Sequence, residues 1–145
     1  MEEKDKAGFH ELFVVEELEP EKVFEWNYAE AANPVHPLHL TAPPIDERVL
    51  SLLGKWDSAW DSVWDSAWDS MWDSVWAYVG SLFVAVVKEW KYIKHEKGEY
   101  PFQSAADLWR MGLVPCFDGQ TWRLHGGPEG KVLWEGKLLE LANGS

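Results

Sequence analysis

The chain carries one cysteine in its 145 residues, Cys116. That excludes an internal disulfide and a cysteine-based zinc cluster. Cations are scarce: 13 Lys and Arg stand against 25 Asp and Glu, a formal net charge of −12 at pH 7. None of them falls between Lys55 and Lys88. So acidic a chain has little to offer nucleic-acid phosphates or an anionic lipid surface, and no nucleic-acid partner is expected. Long apolar runs are missing too. The uncharged, apolar-rich stretch Ser74 to Val87 has 14 residues, short of the roughly 20 that a spanning helix needs. The first six residues, Met1 to Lys6, are polar and mixed in charge and lack the apolar stretch of a secretory signal. The expectation is a soluble protein, cytoplasmic or part of an intracellularly assembled particle, with no membrane span.

What is present in excess is tryptophan, 11 residues, within a hydrophobic content of 46 % that argues against a wholly disordered chain. Six of the 11 fall in residues 56–76, which read WDSA WDSV WDSA WDSM WDSV W. Tryptophan recurs at Trp56, Trp60, Trp64, Trp68, Trp72 and Trp76. Aspartate recurs at Asp57, Asp61, Asp65, Asp69 and Asp73, serine follows each aspartate, and the fourth place is always apolar. Strand alternation would put Trp with Ser on one face and Asp with the apolar residue on the other, mixing polarity on both. A helix fits better, since Trp and the residue before it lie side by side and Asp and Ser take the other half.

Four residues exceed a helical turn of 3.6, so each tetrad advances the apolar stripe by about 40° and five tetrads by about 200°. A straight helix on one flat partner cannot bury all six indoles. The stripe must wind around a partner, face different neighbours along its length, or leave indoles exposed. Burying an indole removes roughly 150–250 Å² from water, worth a few kcal/mol, and six exposed indoles exceed the apolar patch a soluble monomer shows. Self-association or a protein partner is therefore expected, with the six tryptophans as interaction residues. Against it, five like charges at i, i+4 repel by some tenths of a kcal/mol per pair. Each aspartate lies one turn below the indole three residues on, so Asp57, Asp61, Asp65, Asp69 and Asp73 are expected to accept indole N–H bonds. Expansion of a short coding unit explains the repeat equally well without any ligand.

Around the repeat, composition divides the chain into three segments. Residues 1–44 mix short apolar runs with proline. Phe9 to Val15 and Val23 to Tyr28 read as strands or short helices, and Asn33 to Pro44, with four prolines, as an extended connector. Residues 45–93 read as helical, starting at Ile45-Asp46-Glu47 with acids at the positive helix end. Unbroken, that segment would reach roughly 74 Å, too long for a compact domain of this size. A break near Gly54 or Gly80, or a projecting helix, is expected.

Residues 94–145 read as a small α+β unit. Pro101 sits in the first turn of a helix with an apolar stripe from Phe102 to Met111, and Gly112 stops it. Asp118-Gly119 lies between two alternating runs, a strong hairpin signal. Gly126 to Gly130 makes a second turn before a third strand from Lys131 to Trp134. The fold class is thus α+β, a long Trp-rich amphipathic helix followed by a helix and a three-stranded antiparallel meander.

The tetrads, their exit Ser74 to Phe83, and the tail WKYIKHEKGEYPFQSAADLWRMGLVPCFDGQTWRLHGG resemble repeat proteins of uncharacterised function from bacteria, phages and environmental sequences. Those proteins combine W/R-D/A-S-V tetrads of variable number with a similar C-terminal module. The resemblance covers about residues 45–135 and implies no activity. The chain departs from the pattern by carrying Trp at every tetrad start, where relatives mix Arg or Gly, which favours packing over charge as the repeat's role.

Candidates for chemistry are few. Cys116, Asp118 and His125 lie across the expected hairpin and invite a Cys–His nucleophile, but Cys116 alternates with apolar neighbours as a core residue would. His36 and His39, three apart among prolines, have metal-ligand character with an acid nearby, though solvated loop histidines are commoner. The aspartate ladder does not supply the six to eight converging oxygens of a calcium loop. Gly126 to Gly130 lacks the lysine of a phosphate loop. No catalytic residue, metal or cofactor is expected. The sequence points to a non-enzymatic structural or interaction protein, a homo-oligomer or the partner of another protein. The alternative is a small binding module or enzyme with its site in the C-terminal β unit and the repeat as spacer.

Overall fold

The structure, a computed structural model, describes residues 13–14, 16–23, 25–61, 70–84 and 98–138. Two short helices open it, α1 (Pro20–Val23) and α2 (Tyr28–Ala32), followed by a 3-10 turn at Pro37–His39. Helices α3 (Glu47–Asp61), α4 (Ser70–Ser81) and α5 (Gln103–Arg110) come next, then strands β1 (Leu113–Phe117), β2 (Trp122–Gly126) and β3 (Lys131–Gly136). Helices and a three-stranded antiparallel sheet of order β1-β2-β3 make an α+β fold. Among the described residues no helix is long and apolar enough to cross a membrane.

The N-terminal segment differs from its sequence reading. Val23 to Tyr28 is the junction between two helices, and Asn27 caps the second by accepting the Glu30 N–H at 3.3 Å. The proline connector is not extended throughout, because Pro37, with φ fixed by its ring, opens the 3-10 turn. Of Phe9 to Val15, only Phe13 and Val14 lie within the described residues, exposed and without regular structure.

Helix α3 starts where its acids announce it. The Asp46 carboxylate accepts the Val49 N–H at 3.1 Å, satisfying one of the otherwise open donors of the first turn. Val49, Leu53 and Trp56, at i, i+4 and i+7, form the buried face. The expected break at Gly54 is absent, and α3 runs straight through it. The roughly 1 kcal/mol that a helical glycine costs is small beside the burial of those three side chains. Helix α4 does stop one residue past Gly80. A Cβ at position 80 would collide with the Tyr100 hydroxyl, which donates to the Ala77 carbonyl at 2.7 Å.

Helices α3 and α4 converge on the start of α5: Trp56 meets Phe102 edge-on at 6.0 Å, Phe102 meets Tyr100 at 5.7 Å, and Tyr100 bonds Ala77. They are the two described ends of the expected long Trp-rich helix, whose middle, residues 62–69, lies outside the described residues.

The C-terminal unit follows its sequence closely. Leu113 pairs with Gly126 and Phe117 with Trp122, closing the Asp118-Gly119 hairpin. Asp118 accepts the Gln120 and Thr121 N–H groups at 2.9 and 2.8 Å, which fixes the turn. On β3 the register skips Leu133, so that Leu124 faces Trp134 and His125 faces Val132. Leu113, Trp122 and Leu124 share the sheet face that joins Leu53, Trp56, Phe102 and Leu108 in one hydrophobic cluster, with Ala42 and Ile45 packed at its edge. The core therefore draws on all three sequence segments.

Gly112 turns the chain from α5 into β1 with φ +91°, a left-handed conformation that costs a side chain dearly. A Cβ there would also lie 3.0 Å from the Leu40 Cβ and 3.2 Å from the Pro37 carbonyl. Gly112→Ala should lower unfolding free energy in urea by about 1–3 kcal/mol. Gly54→Ala, where a Cβ meets nothing within 4 Å, should raise it by about 0.5–1 kcal/mol. A gain at position 112 or a loss at 54 would contradict the backbone geometry.

Candidate functional site

The repeat meets the core differently at its two ends. Trp56 is fully buried, whereas Trp76 is 68 % exposed. On α4 the inward residues are Asp73, Ser74, Ala77 and Tyr78, with Leu82 just beyond. The Ser74 hydroxyl donates to the Pro115 carbonyl at 3.5 Å. Thus the tetrad's Trp faces in at α3, while its Asp and Ser face in at α4. The outward side of α4 is left with Trp76 and, three residues on, Val79, also exposed.

Of the expected interaction residues, Trp56 lies fully buried in the protein's own core. Trp60 and Trp72 stand in α3 and α4 with side chains outside the described set, and Trp64 and Trp68 lie outside the described residues altogether. For the acids, Asp57 does accept an indole N–H, from Trp122 of β2 at 2.8 Å; the side chain of Trp60, the donor expected one turn on, lies outside the described set. Tertiary packing supplied a partner 65 positions away. Asp73 is buried and does not face water. Asp61, the last residue of α3, has its side chain outside the described set, as are Asp65 and Asp69 entirely.

Helix α4 is oriented by a polar cluster that the sequence did not signal. The Arg110 guanidinium donates to both Glu30 carboxylate oxygens, at 2.9 and 3.0 Å, and to the Ser81 hydroxyl at 2.9 Å. The Tyr78 hydroxyl donates to Glu30 at 3.0 Å and accepts the Val35 N–H at 2.9 Å. The Tyr78 ring stacks on Trp109 at 5.6 Å, and Trp109 donates to the Val35 carbonyl at 2.9 Å. Behind the cluster, the Asn27 N–H donates to the Leu82 carbonyl at 2.8 Å. The Arg110 fork holds the Glu30 carboxyl below its ordinary 4.5 against the upward push of burial. Burial raises the Tyr78 hydroxyl, helped by the neighbouring carboxylate. Glu30, Arg110 and Tyr78 lie 48 and 80 positions apart in pairs, and no local spacing could have revealed them.

The hairpin candidates separate. Cys116 pairs with Arg123 and Val114 with His125, so Cys116 and His125 share one face of the sheet. Both line a cavity of about 360 Å³ together with His36. Asp118 is held elsewhere, by its turn N–H groups and by Arg123 at 2.6 Å, which set its carboxyl down to about 2. His125 Nδ1 lies 2.9 Å from the Gly130 carbonyl. A carbonyl only accepts, so Nδ1 carries the proton. Burial pushes the Cys116 thiol up, away from the thiolate a nucleophile needs. These three residues therefore do not assemble a Cys–His–Asp relay. His36 and His39 stack face to face at 3.9 Å. Among the described residues no group of three or more His, Cys, Asp and Glu side chains could hold a metal ion.

No protein-family model matches the chain, and no curated protein or solved structure compared with it does either.

Two outcomes follow from the geometry. Trp56→Ala should cost about 3–5 kcal/mol of stability and Asp57→Ala about 1–3 kcal/mol, since it strips the acceptor from a buried indole. Urea titration of each variant checks both, and a loss under about 0.5 kcal/mol in either would contradict the packing. The second concerns pH. Glu30's folded-state pKa lies below its unfolded value of 4.5. Its contribution is fully present above that value and is lost as pH falls through the lower folded one. Between about pH 6 and about pH 3, wild type should lose more thermal stability than Glu30→Gln. Equal slopes would show that the pair carries no linkage.

Proposed function

We propose that the protein is a non-enzymatic interaction protein that associates with a second copy of itself through the outward face of α4. The observation that carries this reading is Trp76, 68 % exposed on a helix whose other side is fixed in the core. Covering it would remove on the order of 100 Å² of indole from water, about 2–3 kcal/mol per copy. A two-fold contact uses the same patch twice, so one exposed indole and its neighbour Val79 contribute from both sides. Aromatic side chains of this kind dominate interface energies.

The repeat's carboxylates do not stand in the way where they are described. Asp57 is engaged by Trp122 and Asp73 is buried, so neither flanks Trp76 as a solvated charge. The remaining obstacle is the net charge of −12. Two such copies repel, and salt screens the repulsion within about 10 Å at 0.1 M. Self-association should therefore tighten as salt rises, whereas docking to a basic partner would weaken.

Sedimentation of the purified chain over a range of concentrations tests the reading. Wild type should form an oligomer that strengthens with sodium chloride. Trp76→Glu should sediment as a monomer with an unchanged far-ultraviolet circular dichroism spectrum. A wild-type monomer at every concentration, or an oligomer indifferent to Trp76→Glu, would reject it.

A further inference from the structure

A cavity lies between the 3-10 turn, the β1–β2 hairpin and Val75 of α4. Its volume of about 360 Å³ falls at the small end of the roughly 300–1,000 Å³ typical of ligand sites. The walls are Leu38, Val75, Val114 and the Trp109 ring, with no Asp, Glu, Lys or Arg among the described lining residues. The polar edge belongs to Cys116 and the imidazoles. We propose that this cavity binds a small, uncharged aromatic molecule carrying one hydroxyl or N–H donor, which His125 Nε2 accepts.

Each part of that description has a physical source. A charged ligand would lose its hydration against a wall that offers no counter-charge. An apolar body replaces water on the valine, leucine and indole surfaces. The donor requirement comes from the tautomer. Nδ1 donates to the Gly130 carbonyl at 2.9 Å, which leaves Nε2 of the neutral ring as an acceptor. Buried thiol chemistry agrees, because burial keeps Cys116 protonated and the wall neutral.

The site is also held open by contacts outside it. Trp109 is pinned by its bond to the Val35 carbonyl at 2.9 Å and by stacking on Tyr78. His125 is pinned by Gly130. Rings fixed before a ligand arrives lose little freedom on binding, which favours affinity from a small contact area.

The test uses the full chain and two neutral probes, 2-naphthol and its methyl ether 2-methoxynaphthalene, which keeps the rings and loses the donor. In equilibrium dialysis 2-naphthol should bind saturably at one site and the ether about tenfold more weakly. Cys116 is the chain's one cysteine, so alkylation by iodoacetamide reports on this wall alone. Saturating 2-naphthol should slow that alkylation in the wild-type chain. Cys116→Trp, which fills the space, should abolish binding. Three results would each overturn the proposal: no saturable binding, equal affinity for the two probes, or bound 2-naphthol that leaves the alkylation rate of Cys116 unchanged.

Discussion

The two-pronged contact of Arg110 with Glu30 is the constraint on which the arrangement of the chain's parts depends. Arg110 closes α5 at its C-terminal end, where a cation complements the helix dipole. Glu30 brings α2 to it, Tyr78 and Ser81 bring the last turn of α4, and Val35 brings the segment leading into the 3-10 turn. The guanidinium lies 5.2 Å from the Tyr78 ring centre. A charge pair partly shielded by aromatic rings interacts more strongly than one in open water. Three segments distant in sequence are thereby held in one geometry. The same geometry sets the wall of the cavity, through Trp109, and the outward angle of α4.

The repeat itself has no preferred side. Its units share Trp-Asp-Ser and an apolar fourth residue, and a period of four on a helix of 3.6 carries that pattern about 200° around the axis. The phase comes from residues that do not belong to the repeat. Before it, Val49 and Leu53 fix the inward side of α3, and Trp56 falls at the next position of that stripe. After it, Ala77, Tyr78 and Leu82 fix the inward side of α4, and the positions one turn earlier are Asp73 and Ser74. The same four letters are therefore core at one end and surface at the other. Burial of Asp73 is a consequence of where Ala77 and Tyr78 must go, not of any preference of aspartate.

This explains what was legible in the sequence and what was not. Locally coded features could be read directly. The Asp118-Gly119 hairpin, the Gly112 stop, the turn through Gly127 and Gly130 and the start of α3 all rest on backbone preferences of residues within a few positions. The α+β class followed from them. The drift of the repeat was legible as arithmetic, and with it the conclusion that the indoles could not share one environment. The phase of the stripe was not, since it depends on where α5 lies. Asp57 was legible as an indole acceptor but not as the partner of Trp122, because that donor lies 65 positions away and no local spacing points to it. Gly54 misled as a helix breaker because its cost is small against a buried stripe. The Glu30, Arg110 and Tyr78 cluster left no mark at all.

The register skip at Leu133 bears on colloidal behaviour. As the outer strand of a twisted three-stranded sheet, β3 presents Val132 and Leu133 partly to solvent, 49 % and 43 % exposed. Adjacent branched residues on an open edge are the usual seed of intermolecular zippering and fibril growth. The bulge spoils the even spacing of amides and carbonyls that a docking strand would have to match. Lys131 at one end and the Arg123–Glu135 ion pair further along add charge that an incoming chain would meet. The bulge and these charges together disfavour growth of the sheet from chain to chain along β3.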